Sequence, residues 1–108
     1  MKPHRFHILL ALVDVDRHGA AIAAQVRANT TDTVVLWPVT LYGSLAELEE
    51  QGWIASLSDQ GAHPRGQSER RKYYRLTRTG RQALAAETKR LAALVSAAER
   101  RLHPKEAT

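Results

Sequence analysis

Cysteine is absent from this 108-residue chain, which excludes disulfide bonds, thiolate nucleophiles and cysteine-ligated zinc sites together. Long hydrophobic runs are also missing, since the longest, Ile8 to Val13, is far too short to span a bilayer. The sequence has no nucleophile with an adjacent base, no paired carboxylates in an apolar setting and no glycine-rich phosphate loop. We therefore expect a cytoplasmic protein that is not an enzyme, with no cofactor, no metal site and no membrane partner.

Charge is distributed unevenly along the chain, which has a formal net charge of +5. Between Gly61 and Arg75 five residues are Arg or Lys and one is acidic, whereas between Val39 and Gln51 three are acidic and none is basic. The hydrophobic fraction of 44% and the charged fraction of 25% are typical of globular domains. The chain is long enough for one domain, and its basic segment favours contact with nucleic acid.

Two short helices are predicted in the first third of the chain. From Arg5 to Val13 the apolar residues follow a helical spacing and continue nearly all round the helix. Such a helix must be buried on more than one side, and we expect the second side to face a partner subunit. The next helix is predicted from Ala20 to Asn29, with Asp16 or His18 as its N-terminal cap.

A third helix is predicted from Pro38 to Gln51. Proline suits the first turn of a helix, Leu41, Leu45 and Leu48 define one inward face, and Gly52 ends the helix. The residues off that face are mainly small or polar. Two short helices joined by a turn, the second with a small-residue outer face, are typical of a helix-turn-helix.

A two-stranded hairpin follows directly. Trp53 to Leu57 and Arg70 to Thr77 read as its strands, separated by a turn region over residues 58–68 that is rich in Gly, Pro and Ser. Core packing is expected for Trp53. A basic hairpin immediately after a helix-turn-helix predicts a wing.

The last helix is predicted from about Thr79 to Leu102. Its apolar and small residues alternate steps of four and three, as in a coiled-coil seam, at Leu84, Thr88, Leu91, Val95, Ala98 and Leu102. Because one domain of this size cannot fully cover such a seam, we expect a homodimer. The expected dimerisation residues are Phe6, Leu9, Leu84, Leu91, Val95 and Leu102.

The predicted fold is mainly α with a small β-hairpin. A winged helix-turn-helix spans residues 1–78, and a long C-terminal dimerisation helix spans 79–103 as part of the same single domain. Residues 104–108 form a tail.

Several short motifs then match a known family in order and at family-like spacing, across roughly Leu9 to Leu102. They are His18-Gly19 with Ile22, Thr40-Leu41-Tyr42, Leu45, Leu48-Glu49-Glu50 with Gly52, Arg71-Lys72-Tyr73-Tyr74-Arg75-Leu76-Thr77, and Thr79-Gly80-Arg81. With these motifs the sequence resembles the PadR family of bacterial transcriptional regulators. The resemblance implies a homodimer of two winged helix-turn-helix lobes, joined through the first and last helices. It also implies repression of a nearby promoter, relieved by a small-molecule effector.

The resemblance further implies which residues meet DNA. Thr40 and Tyr42 match the start of the recognition helix, which approaches phosphates and bases, and Arg71 and Lys72 match basic wing positions. Together with the helix start and the density of basic residues on the hairpin, the expected DNA-binding residues are Pro38, Val39, Thr40, Tyr42, Gly43, Arg65, Arg70, Arg71 and Lys72.

The sequence also departs from the family pattern. Ala20 replaces an aromatic residue, Val39 replaces a glycine, and Ala46-Glu47 occupies the middle of the recognition helix, where basic residues are usual. These departures leave the fold expected but shift the phosphate contacts to the wing, Arg27, Lys2 and Arg5.

The function expected from all these features is sequence-specific binding of a double-stranded DNA operator by a transcriptional regulator. Trp37 is the candidate for contact with an effector. Two alternatives stay open: a winged helix that docks another protein through its seam helix, and a MarR-type regulator, which typically has longer dimerisation segments at both ends.

Overall fold

The computed structural model describes residues 1–57 and 72–103. These residues form four helices and three short strands, in the order α1 (Pro3–Ala11), β1 (Arg17–His18), α2 (Gly19–Asn29), α3 (Pro38–Glu50), β2 (Ile54–Leu57), β3 (Tyr73–Leu76) and α4 (Arg78–Leu102). The predicted helices and both predicted strands are confirmed, with ends within a few residues of those expected. No helix in this part of the chain combines the length and apolar character needed to cross a membrane.

The helix ends follow from local chemistry. Nδ1 of His18 accepts a hydrogen bond of 3.3 Å from the backbone N–H of Ala21 and so caps α2. The hydroxyl of Thr77 does the same for α4, accepting from the N–H of Gly80 at 3.0 Å. After α3 the chain reverses at Gly52, whose φ of +81° suits glycine and few other residues.

The core lies where the first three helices meet the sheet. Leu41, Leu45 and Leu48 are all buried, as the spacing of the inward face of α3 predicts. The residues that pack with them come from α1, α2, the segment before α3, the strands and the first half of α4: Ile8, Leu9, Ala11, Leu12, Ile22, Val26, Leu36, Ile54, Tyr74, Leu76 and Leu84. This burial of apolar surface is the main term that stabilises the fold.

The sheet has three strands rather than the predicted two. Its order is β1-β3-β2, with both pairs antiparallel, so β3 is the central strand. Arg17 pairs with Tyr74 on one side, and Ile54 pairs with Leu76 on the other. The prediction missed β1 because a strand of two residues has no alternation to detect. Its pairing ties the start of α2 to the wing.

The long α4 helix packs against α1 over its first half only. Gly80 lies so close to the backbone carbonyl of Trp53 that a Cβ atom there has no room. Leu84 and Glu87 are buried, and Leu91 is half-buried. Beyond Leu91 the same face of the helix continues into exposed apolar residues, so the second half of α4 extends past the core.

Candidate DNA-binding surface

One face of α3 is turned away from the core. Val39, Thr40, Gly43 and Glu47 are all exposed, and we call them the exposed α3 face. Val39 is 89% exposed, so its whole side chain is available to a partner. Positions 40, 43 and 47 are three and four residues apart, so their side chains follow one edge of the helix. These four residues also form one wall of a groove against the start of α1.

The N-terminus of α3 is open. Trp37 is the N-cap residue, and neither it nor any other side chain in the described residues caps the helix. Pro38 has no N–H, and the N–H of Leu41 already donates to the carbonyl of Trp37 at 2.8 Å. The backbone N–H groups of Val39 and Thr40 therefore have no partner within the helix. Together with the positive end of the helix dipole, such groups favour an anion.

Gly43 lies inside α3 and, unlike the helical glycines Gly19 and Gly80, has nothing packed against it. A Cβ atom on Gly19 or on Gly80 would collide with neighbouring atoms, whereas a Cβ atom on Gly43 would meet nothing within 4 Å. Glycine inside a helix costs about 1 kcal/mol relative to alanine. The packing of the described residues therefore gives no reason for glycine at this position.

Tyr42 lies on the edge of α3 that faces α2. Its ring packs over Gly19, the first residue of α2, where a Cβ atom would come within 2.6 Å of the Tyr42 hydroxyl oxygen. The ring is nevertheless 52% exposed. Tyr42 thus presents its hydroxyl beside the N-terminus of α2.

On the opposite edge of α3, the start of α1 forms a groove of about 240 Å³. Lys2, His4 and Arg5 line one side of it, and residues of α3 line the other. Nη2 of Arg5 donates to Oε1 of Glu47 at 2.6 Å, and Nη1 donates to Oε1 of Gln51 at 3.2 Å. This hydrogen bond and the positive charge of Arg5, with a smaller effect of Lys2, hold the pKa of Glu47 below its ordinary value.

This pair was not expected from the sequence. Arg5 was predicted to meet DNA phosphates, and Glu47 was a departure from the family pattern. Arg5 is 42 residues from Glu47 and 46 residues from Gln51 in the sequence, so no local spacing relates them. The expected phosphate contact by Arg27 also meets an internal partner, since its Nε lies 3.2 Å from Oδ1 of Asp32.

The described part of the wing contributes one of the four expected basic residues. Lys72 is exposed, and its Nζ lies 5.9 Å from the centre of the Tyr74 ring. Burial, together with the negative charge of Glu49, raises the pKa of the Tyr74 phenol, so the ring stays neutral. The expected sites at Arg65, Arg70 and Arg71 lie outside the described residues.

The residues expected at a dimer interface fall into two groups. Leu9 and Leu84 belong to the core of the single chain, with 0% and 6% exposure, and leave almost no surface for a partner. Phe6 and Leu91 are half-buried, whereas Val95 and Leu102 are 57% and 73% exposed. Leu9 and Leu84 fit their predicted role poorly because α1 packs onto the first half of the seam. The exposed part of the seam is its second half.

Trp37, the expected effector contact, is 71% exposed and sits at the entrance to α3. It therefore borders the exposed α3 face. Trp53, expected in the core, is partly buried against it.

Comparison with known proteins places these features among transcriptional regulators. A sequence profile described as the transcriptional regulator PadR-like family matches residues 8–86. No curated protein sequence gives a significant match.

Solved structures similar to this chain share the fold over most of its length. A transcriptional regulator from Clostridium thermocellum is 27% identical, with 89% of this chain and 86% of that chain covered and a TM-score of 0.73. A PadR family transcription regulator from Clostridium difficile R20291 is 28% identical, with coverage of 90% and 97% and a TM-score of 0.68. Bacillus subtilis PadR, solved in complex with operator DNA, is 21% identical, with coverage of 81% and 47% and a TM-score of 0.68.

Proposed function

Because the chain belongs to the PadR-like family of transcriptional regulators, we propose that it regulates transcription by binding duplex DNA through the exposed α3 face. Membership of the PadR-like family favours a regulator of that type over the MarR-type alternative. The observation that carries the proposal is Gly43, a helical glycine with open space where its side chain would be. If a DNA groove closely approaches the helix backbone here, glycine is the residue that leaves room for it.

The open N-terminus of α3 supports the same assignment. Helix N-termini commonly hold DNA phosphates, and the amides of Val39 and Thr40 are placed to do so. The methyl groups of Val39 suit a thymine methyl in the major groove, and the hydroxyl of Thr40 suits a base edge or a phosphate. In this assignment Tyr42 donates its hydroxyl to a phosphate.

The wing supplies positive charge beside the recognition helix. Lys72 is exposed next to β3, and we propose that it contacts the DNA backbone together with Arg65, Arg70 and Arg71. Such contacts position the protein without reading sequence.

We propose that the active form is a homodimer joined through the second half of α4. The buried face of α4 continues into Leu94, Val95 and Leu102, all more than half exposed in the single chain. A contiguous apolar helix face of this kind is favoured at interfaces between subunits. Two α3 helices related by a two-fold axis then bind two half-sites.

The proposed outcome of binding is repression in the cytoplasm, relieved by a small molecule. A ligand can relieve repression only if it binds the DNA-competent and DNA-incompetent arrangements with different affinity. Trp37 is our candidate contact for such an effector, since this exposed indole borders the DNA-facing surface.

Two measurements test the DNA-binding function. The purified chain is first used to select bound sequences from random duplexes, and the affinity for the selected duplex and for a scrambled one is then measured at several salt concentrations. We expect a palindromic preference and a steep loss of affinity with salt, because released counterions drive phosphate contacts. Lys72→Ala should lower the affinity for both duplexes and reduce the salt slope by roughly 1 per lost contact in each lobe.

A winged helix that docks a protein gives a different result. Its affinity for duplexes is weak, equal for selected and scrambled sequences, and unchanged by Thr40→Ala. That outcome would reject the proposed function.

A further inference from the structure

The exposed α3 face carries a negative charge where a positive one is expected. The helix contains Glu47, Glu49 and Glu50 and no Arg or Lys. Glu49 is engaged with the hydroxyl of Ser56 at 2.7 Å, away from the exposed face. Glu47 lies within the exposed face and is 52% exposed at its side chain. An acidic side chain at this position repels DNA phosphates, so its presence on a DNA-facing surface needs another explanation.

Arg5 fixes the position of the Glu47 carboxylate. The arginine side chain is only 16% exposed, and its guanidinium holds both Glu47 and Gln51 on successive turns of α3. Such a two-pronged contact restricts the rotation of the glutamate and balances its charge. Because Arg5 and Lys2 keep the pKa of Glu47 low, the carboxylate is ionised at neutral pH and is purely a hydrogen-bond acceptor.

The position of Glu47 along the helix suits a base edge. It lies seven residues after Thr40, which corresponds to a rise of about 10 Å. That distance spans about three base-pair steps of the duplex. Gly43 stands between these two residues and adds no side chain that would keep the groove away.

We propose that Glu47 is a specificity-determining residue that accepts a hydrogen bond from the 4-amino group of a cytosine in the major groove, with Arg5 as its positioning residue. Carboxylates pair with this amino group because they only accept, whereas the other major-groove atoms of a G·C pair, guanine O6 and N7, also only accept and so repel them. The inference rests on the proposed DNA-binding function and adds a base preference to it.

A purely structural tie between α1 and α3 is the competing explanation for the pair. Such a tie accounts for the largely buried Arg5 side chain but does not require its partner carboxylate to be half-exposed on the DNA-facing edge. The two explanations differ in one respect: only base recognition makes the effect of Glu47 depend on the sequence of the DNA.

The test measures the affinity of wild-type protein, Glu47→Gln and Glu50→Gln for the selected duplex and for duplexes with each base pair of the half-site replaced in turn. Glu50→Gln is the matched control, since it removes the same charge from the same helix at an exposed position. For wild type we expect one C·G pair per half-site whose replacement weakens binding about tenfold or more. Glu47→Gln should lose that preference and move toward adenine, which glutamine recognises through N6 and N7. Glu50→Gln should keep it.

The role of Arg5 is tested with Arg5→Lys, which keeps the charge but lacks the planar guanidinium whose two terminal nitrogens bond Gln51 and Glu47 separately. We expect the cytosine preference to fall while the salt slope stays the same, and Arg5→Lys to add nothing in the Glu47→Gln background. Equal effects of Glu47→Gln and Glu50→Gln at every base pair would overturn the inference while leaving DNA binding intact. A wild-type chain with no salt-dependent and sequence-dependent binding at all would instead overturn the proposed function, and the inference with it.

Discussion

The ring of Tyr42 on α3 covers the backbone of Gly19 at the start of α2, so that the two helices of the helix-turn-helix meet through a tyrosine and a glycine. A Cβ atom at residue 19 would come within 2.6 Å of the Tyr42 hydroxyl oxygen. The position of that hydroxyl therefore depends on the absence of a side chain at Gly19.

Gly19→Ala should displace the Tyr42 ring, which is free to move outward because it is half-exposed. We expect unfolding stability to change by no more than about 1 kcal/mol, because a flexible ring absorbs the collision. DNA affinity should fall about as much as in Tyr42→Phe, and the double variant should be no weaker than either single one. Titration of a fluorescent duplex with all three variants checks this, and simple additivity would show that the two residues act separately.

The exposed second half of α4 makes a prediction about assembly. Val95→Asp should convert a homodimer to a monomer, because the interface would bury an unpaired charge at a cost of several kcal/mol. Val95 is a better choice than Leu91 since its side chain is 57% exposed in the single chain, so the fold should survive. Sedimentation velocity at micromolar concentration, with circular dichroism as the check on folding, measures the outcome.

Ala93→Asp is the matched control for this change. Ala93 is exposed on the same helix but points away from the apolar face. A wild-type chain that sediments as a monomer, or an equal effect of both aspartates, would contradict the proposed interface.

The turn after α2 contains two consecutive non-glycine residues in the left-handed region, Thr31 with φ of 53° and Asp32 with φ of 64°. A β-branched residue is strained in this region. Thr31→Gly should therefore stabilise the fold by about 0.5–1 kcal/mol, after allowing for the greater freedom of glycine in the unfolded chain. Thr33→Gly is the control and should destabilise, since the Thr33 hydroxyl donates to the carbonyl of Thr30 at 2.6 Å. Urea denaturation of both variants measures the difference.

Acid should weaken the fold through His7. Burial, and to a lesser degree the charge of His4, lowers the pKa of His7 below its ordinary value of 6.5. As the pH falls through that value, the unfolded chain takes up a proton before the folded chain does, so the free energy of unfolding decreases. No group in the described residues bonds to the buried Nδ1 atom of His7, which agrees with a neutral ring.

We therefore expect the free energy of unfolding to fall between pH 7 and pH 5, and the slope to become smaller in His7→Gln. Denaturation curves at several pH values measure the slopes. A slope that is the same in wild type and His7→Gln would show that other groups cause the acid sensitivity, such as Glu47 and Glu87 at lower pH.

Local patterns in the sequence predicted most of the fold. The spacing of Leu41, Leu45 and Leu48 identified both α3 and its buried face, and Gly52 marked the end of that helix. These signals are local because a helix repeats every 3.6 residues. The strand of Arg17 and His18 carried no such signal, since its only determinant is pairing with β3 far along the chain.

The candidate site was predictable in part. The outward face of α3 followed from the inward one, so Val39, Thr40 and Gly43 were expected there and are exposed. The contact between Arg5 and Glu47 was not predictable, because it depends on how α1 packs across α3. The seam of α4 was interpreted as an interface along its whole length, although Leu84 is buried within the chain, where α4 packs against α1. The Arg5–Glu47 contact and the burial of Leu84 both depend on packing between segments far apart in the chain, which local patterns in one sequence do not predict.

The most direct test of the DNA-binding surface is the affinity of Gly43→Ala for the selected duplex, measured beside its stability. Alanine should stabilise the fold by about 1 kcal/mol, because a Cβ atom at this position meets nothing in the described residues and helix propensity improves. If DNA closely approaches the helix at Gly43, the same methyl group should weaken binding by ~1–3 kcal/mol, comparable to a mismatched base pair. The account predicts a more stable protein that binds DNA less well. A Gly43→Ala variant that is more stable and binds the duplex as tightly as wild type would contradict it.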